Sequence, residues 1–217
     1  MKKTTNAMTS VQPVRTRDQA ATRELLIKAV GTLLARQGFT GLGVNAVAKE
    51  AGVDKVLIYR YFGGLPELLQ QFGNSGEFWP SVDELTDRKV DALQQMPLSQ
   101  SVATVMCNYI RAIRNRPLTR EILAWESVER NELSKVLEDV REKVSMDLFQ
   151  AVRIDPEKYP AVVAVTTLLA AAVNYLVIRS RTITHFNSID IASEEGWETL
   201  EKTISTICEG CFGADNQ

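Results

Sequence analysis

Histidine is nearly missing from this chain. His185 is the only imidazole in 217 positions, which leaves little room for His-based metal sites or for Ser-His-Asp chemistry. Cysteine is scarce as well. Cys107, Cys208 and Cys211 are too few and too clustered for a disulfide framework, which fits a reducing cytoplasm. No apolar run opens the chain, so a secretory signal is not expected. Strand pairs, internal repeats and low-complexity blocks are lacking. So are a P-loop, a dinucleotide-binding glycine pattern and a nucleophile with a plausible base. These absences point away from an enzyme, and no metal or cofactor is expected. What remains is an ordinary soluble composition, 45% hydrophobic and 24% charged, long enough for one or two compact domains.

Charge is unevenly placed. Residues 1–72 hold ten Lys/Arg against five Asp/Glu, and the rest holds fifteen against twenty-two. A basic head on an acidic body suggests that the head meets an anion such as nucleic acid or a membrane surface. The first 17 residues are basic, Thr-rich and without an apolar stripe, and read as a loose arm.

Helical periodicity starts at Asp18. Leu26, Ala29, Val30, Leu33 and Leu34 form a stripe, and Gly38 sits at the C-cap position. In Val44–Gly52 a short helix carries Val47, Ala48 and Ala51 on one face. Asp54 can cap a second short helix over Lys55–Phe62. Pro66 suits the first turn of a helix reading PELLQQF. Beyond it, further helices are expected over 81–95, 98–115, 118–130, 132–152, 160–185 and 194–210, with breaks near the prolines and at Asn187-Ser188. The fold class is all-α, with an N-terminal three-helix unit over 18–75 followed by a larger helical domain over 76–217.

Two short helices joined at Gly52 make a helix-turn-helix. Val47, Ala51, Val53, Ile58 and Phe62 are expected inside it. The outward side presents Lys55, Val56, Leu57, Tyr59, Arg60 and Tyr61. Lys and Arg suit phosphates and guanine edges, tyrosine hydroxyls suit phosphates, and Val or Leu can only touch a thymine methyl.

The run GFTGLGVNAVAKEAGVDKVLIYRYFGGLPELLQQF resembles the N-terminal domain of TetR-family transcriptional repressors. The resemblance rests on Gly38-Phe39, on Ala51-Gly52-Val53 and on Tyr59 to Phe62, and it covers about residues 18–72. It implies base or phosphate contacts from the six outward residues of the second helix, plus Val44 and Asn45. It also implies a homodimer on a palindromic operator and a small-molecule effector. Gly43 stands where the family usually has a capping Ser or Thr, Leu65 where a phosphate-binding Lys is common, and Val56-Leu57 where a small or polar pair is usual.

The segment 161–178 is free of charge but rich in Ala and Thr. It reads as a buried helix of a cytoplasmic protein rather than a membrane span. A helix apolar on all sides needs cover on all sides, and a second subunit is an economical source. Ala171 beside Trp197, Leu200, Ile204 and Ile207 is the expected dimer face. Met106, Tyr109, Trp125, Asn174, Tyr175 and Arg179 are candidates for the effector pocket that the resemblance implies, with ordinary core packing the alternative for each. Glu121, Glu126, Glu129 and Glu132, interspersed with Arg120 and Arg130, read as a solvated face with local ion pairs. Cys208 and Cys211 form a CxxC at a helix end with no second pair, which carries no expected role. The alternative to a regulator is an all-α ligand-binding or protein-interaction dimer with weakened DNA binding.

Overall fold

The computed structural model describes residues 14–213. The arm expected over 1–17 lies outside the described residues up to residue 13, and from Val14 the chain is already helical.

Helix α1 (Val14–Gln37) buries Leu26, Ala29, Val30, Leu33 and Leu34, the stripe visible in the sequence. Gly38 ends it with φ 68° and donates its N–H to the Leu34 carbonyl at 3.0 Å. That positive φ suits glycine, which has no Cβ to clash. Phe39 then turns back into the core at 1% exposure. Helices α2 (Val44–Ala51) and α3 (Val56–Phe62) follow. Between them Gly52 takes φ 68°, and Val53 N–H reaches the Ala48 carbonyl at 3.0 Å, a left-handed stop. Asp54 Oδ1 accepts from Val56 N–H at 2.8 Å, which starts α3. Helix α4 (Leu65–Gly73) has Pro66 in its first turn and buries Leu68, Leu69 and Phe72.

Three inner residues differ from expectation, Ala51 and Val53 being half-buried at the edge of the core along with Phe62. Ile58 is fully buried, but Phe62 is only half-buried. Its ring lies under the Arg23 guanidinium of α1, 4.3 Å from the centroid. The same arginine donates to the Tyr61 carbonyl. Phe62 is the lid of the three-helix core rather than its centre.

The body comprises α5 (Val82–Leu85), α6 (Val90–Gln95), α7 (Leu98–Arg114), α8 (Pro117–Glu126), α9 (Glu132–Ala151), α10 (Pro160–Arg179) and α11 (Glu194–Phe212). Helix α7 is the central post and packs against α5, α8, α10 and α11. The single helix expected over 81–95 is two short ones, because Asp87 and Arg88 adopt φ 50° and 55°. The helix expected over 160–185 ends at Arg179. A small antiparallel hairpin follows it, β1 (His185–Phe186) and β2 (Ile189–Asp190), turning at Asn187 and Ser188 with φ 45° and 69°. Those are residue types that tolerate such a turn. A two-residue strand has too short an alternation to register as periodicity. His185 sits in this hairpin and not at a helix end.

Helix α10 departs most from the sequence reading. Its mean hydropathy is 2.2, high enough to cross a membrane by length and composition. Yet only Val162, Val173 and Val177 are buried, and Leu168 is 71% exposed. The chain does not cover its own most apolar helix.

The acidic residues of α8 and its C-terminal end are not solvated pairs on one helix. Glu121 pairs with Arg181, beyond α10. Glu126 pairs with Arg141 of α9 at 2.7 Å, and that guanidinium also lies over the Phe78 and Trp79 rings. Burial pushes the Glu126 carboxyl above its ordinary range, while Arg141 pulls it back.

Two outcomes follow in unfolding experiments. Ile58→Ala costs about 2–5 kcal/mol, as for a filled core site, and Phe62→Ala costs less, read by urea midpoints. Arg141→Met strands a largely buried carboxylate and lowers stability by about 1–3 kcal/mol at neutral pH. Without the guanidinium, the Glu126 pKa in the folded state rises further above its unfolded value. The penalty is therefore full above the folded pKa and fades as pH falls through it towards the ordinary carboxylate range. Melting temperatures of wild type and variant should converge between neutral and mildly acid pH.

Candidate nucleic-acid interface and ligand cavity

The outer side of the helix-turn-helix is built by the phase of α3. With Ile58 fixed inside, a helical turn places Val56, Tyr59 and Arg60 outside. Val56 is 60% exposed and Tyr59 56%, both large for solvent-facing apolar or aromatic groups. Lys55 and Arg60 are exposed, and neither has an ion-pair partner among the described residues. Arg60 lies 5.9 Å over the Tyr61 ring, which steadies its stem. Asn45, at the start of α2, is exposed and Val44 half-buried. Gly43 precedes them as an extended N-cap without a side-chain bond, leaving first-turn amides of α2 open. Leu57 and Tyr61 differ from expectation. Both are half-buried and packed on the core, because four-residue spacing puts them together on the flank of α3.

A cavity of about 580 Å³ lies in the body between α7, α9 and α10, within the usual size of small-molecule sites. Met106, Tyr109 and Asn174 line it. Tyr109 is 7% exposed and donates to Asn174 Oδ1 at 2.6 Å. Burial pushes its phenol well above the ordinary range. The other three pocket candidates are elsewhere. Tyr175 is one residue, hence about 100°, around the helix from Asn174. It lines a separate cavity of about 270 Å³ against the hairpin, edge-on to Phe186. Arg179 is half-buried outside the cavity, with its Nε unpaired. Trp125 points into the head.

The wall of the cavity formed by α9 was not identified from sequence. Glu138, Arg141, Ser145 and Phe149 face it, spaced at three and four residues. Mixed polarity hides such a line, because a charged helical face ordinarily signals solvent. Trp79, from the loop after α4, completes the wall.

Two connections join cavity and head. Rings of Phe72, Phe78, Trp79 and Tyr109 succeed one another at centroid distances of 5.9, 5.7 and 5.8 Å, running from α4 into the cavity. At the end of α8, Trp125 Nε1 donates to the Ala35 carbonyl at 3.2 Å. Beside it the Glu129 carboxylate accepts from the backbone N–H of Phe39 at 2.8 Å and of Thr40 at 3.0 Å. A Cβ at Gly38 would fall 2.8 Å from the Trp125 ring, so this seat also requires glycine.

The expected dimer face is divided. Trp197 is 2% exposed, donates from Nε1 to the Ile191 carbonyl at 2.8 Å and lies under Arg114. Ile204 is buried too. That side of α11 packs on α7 of its own chain, which consumes the stripe. Leu200 is half-buried, while Ala171 and Ile207 are exposed. The uncovered apolar surface belongs to α10, through Leu168, Ala171, Ala172 and Tyr175. Burial pushes the Cys208 thiol up to about 11, opposite to an activated thiolate.

Residues 26–72 match the family model for bacterial regulatory proteins of the tetR family. No curated protein sequence matches the chain. Among solved structures, NalD of Pseudomonas aeruginosa, the secondary repressor of a multidrug efflux pump, superposes with TM-score 0.63 at 16% identity, covering 91% of this chain and 98% of that one. The fatty acid degradation regulator FadR of Bacillus halodurans gives 0.59 at 14%, covering 86% and 97%. FadR of Bacillus subtilis, in complex with stearoyl-CoA, gives 0.58 at 12%, covering 85% and 96%. At these identities the likeness concerns the fold. The head thus matches the tetR-family model over residues 26–72, and the helical body shares the fold of these solved structures.

Proposed function

We propose that the protein is a ligand-responsive transcriptional regulator, a repressor, that binds a palindromic operator as a homodimer. The observation that carries this reading is the exposed set on α3: Lys55, Val56, Tyr59 and Arg60, solvent-facing and without an ion-pair partner among the described residues, on a short helix held by a buried Ile58. Such a helix fits the major groove, where cations and hydroxyls meet phosphates and base edges. Asn45 and the free amides at the start of α2 supply further phosphate contacts.

A homodimer is supported by the bare side of α10. Leu168 and Tyr175 stand exposed beside Ala171 and Ala172, small residues that allow close helix approach. Ile207 of α11, at 38% exposure, extends this surface. A second copy buries these groups by the same surface on both sides. Two heads then read half-sites about one DNA turn apart or a multiple of it.

Effector response is supported by the cavity and its two connections to the head. An effector that binds best where α8 and the ring series have shifted moves the seat of Phe39 and Thr40. The heads then no longer match the operator spacing, at a typical coupling of about 1–3 kcal/mol.

Selection from a random DNA pool at low and high salt tests the reading. It stands if a palindrome recurs. Binding without a motif, or none, transfers the function to a ligand-binding or interaction dimer. With the operator in hand, Arg60→Ala leaves the fold intact and reduces affinity, and the slope of log K against log salt drops by about one if the contact is a phosphate. Independently, Glu129→Ala removes two charge-assisted acceptor bonds. Amide exchange at Phe39 and Thr40 then rises by about tenfold with the body still folded, as read by NMR.

A further inference from the structure

The chemistry of the cavity wall indicates what enters it. Three charged residues line the cavity: Glu138, Arg141 and Glu142. Arg141 is neutralised inside the wall, because its Nη1 sits on Glu126 and its guanidinium lies over Phe78 and Trp79. Glu138 and Glu142 have no ion-pair partner among the described residues. They lie four residues apart, on one side of α9. The wall therefore keeps two uncompensated negative charges.

These charges occupy one end only. Helices α9 and α10 form the long walls. Glu138, Glu142 and the Tyr109–Asn174 hydrogen bond mark one end. The rings of Trp79 and Tyr109 are close by, 5.8 Å apart. Towards the end of α9 the wall becomes apolar, with Phe149, Val152 and Ile154 facing Val162 and Val163 of α10. Carboxylates beside aromatic rings favour a cation, and the apolar end favours a hydrocarbon tail.

We propose that the effector is a cationic amphiphile, with its positive head at Glu138 and Glu142 and its apolar part towards Ile154 and Val162. This inference rests on the ligand-responsive reading above. An anionic amphiphile meets the opposite field here, since the one cation on the wall is already paired.

The test uses the full chain and three probes with one tail: decyltrimethylammonium, decanol and decanoate, titrated by calorimetry below their aggregation concentrations. The cation is expected to bind about tenfold more tightly than decanoate at neutral pH. In Glu138→Gln/Glu142→Gln that preference collapses, while decanol affinity and melting temperature stay unchanged. Equal or tighter binding of decanoate overturns the proposal. So does an unchanged cation preference in the double variant, or no binding by any probe. Operator release by the cation is measured separately. Binding without release leaves the ligand class standing and overturns the ligand-responsive reading instead.

Discussion

The carboxylate of Glu129 holds the two halves of this molecule in register. It closes over the backbone N–H groups of Phe39 and Thr40, just where α1 has ended at Gly38 and the chain sets off for α2. Those amides belong to a helix-to-loop junction with no intrahelical acceptor, so a tertiary group has to satisfy them. Trp125, one helical turn earlier, presses on Gly38 and bonds the Ala35 carbonyl. The orientation of α2 and α3 is thus set from the body. In the proposed function this contact is the route by which a shift of α8 would reach α3, because packed interfaces switch between arrangements rather than deform smoothly.

The same short helix also faces the cavity side. Glu126 follows Trp125 directly and is tied to Arg141, whose guanidinium covers the Phe78 and Trp79 rings. In this way a partly desolvated ion pair, costly in itself, is kept where α8, α9 and the ring series meet. This junction borders the cavity on one side, through Arg141, and the head on the other, through Trp125. The contiguity is physical, residue by residue. Whether free energy flows through it is what the operator-release measurement decides.

Helix α10 imposes the second constraint. A 20-residue helix with no charge before Arg179 leaves most of its surface bare within one chain. Its inner side buries Val173 and lines the cavity through Asn174, Ala171 stands at the cavity rim, and its outer side carries Leu168 and Tyr175. An apolar stripe on that outer side raises the cost of remaining alone in water, at roughly 25 cal/mol per Å². In the proposed homodimer, cover by a second copy would also set the distance between the two heads, so association and DNA spacing become one geometric problem.

Local signals were enough for the head. Gly38, Gly52 and Asp54 act within a few residues of themselves, and the apolar spacing of α1 to α4 recurs over one or two turns, so the helix-turn-helix and its basic outer face were legible without a structure. The division of Leu57, Tyr61 and Phe62 between flank and lid was not, since it depends on Arg23 arriving from α1. In the body the all-helical class was legible, but long-range pairing decided the site. Glu126 and Glu129 looked like surface charge until α9 and the Phe39 loop came to meet them. Trp197 and Ile204 were claimed by α7, and the α9 wall joined the cavity despite its charges. Periodicity reports which side of a helix is apolar. It does not report which neighbour covers that side, because that partner is chosen by contacts between residues distant in the chain.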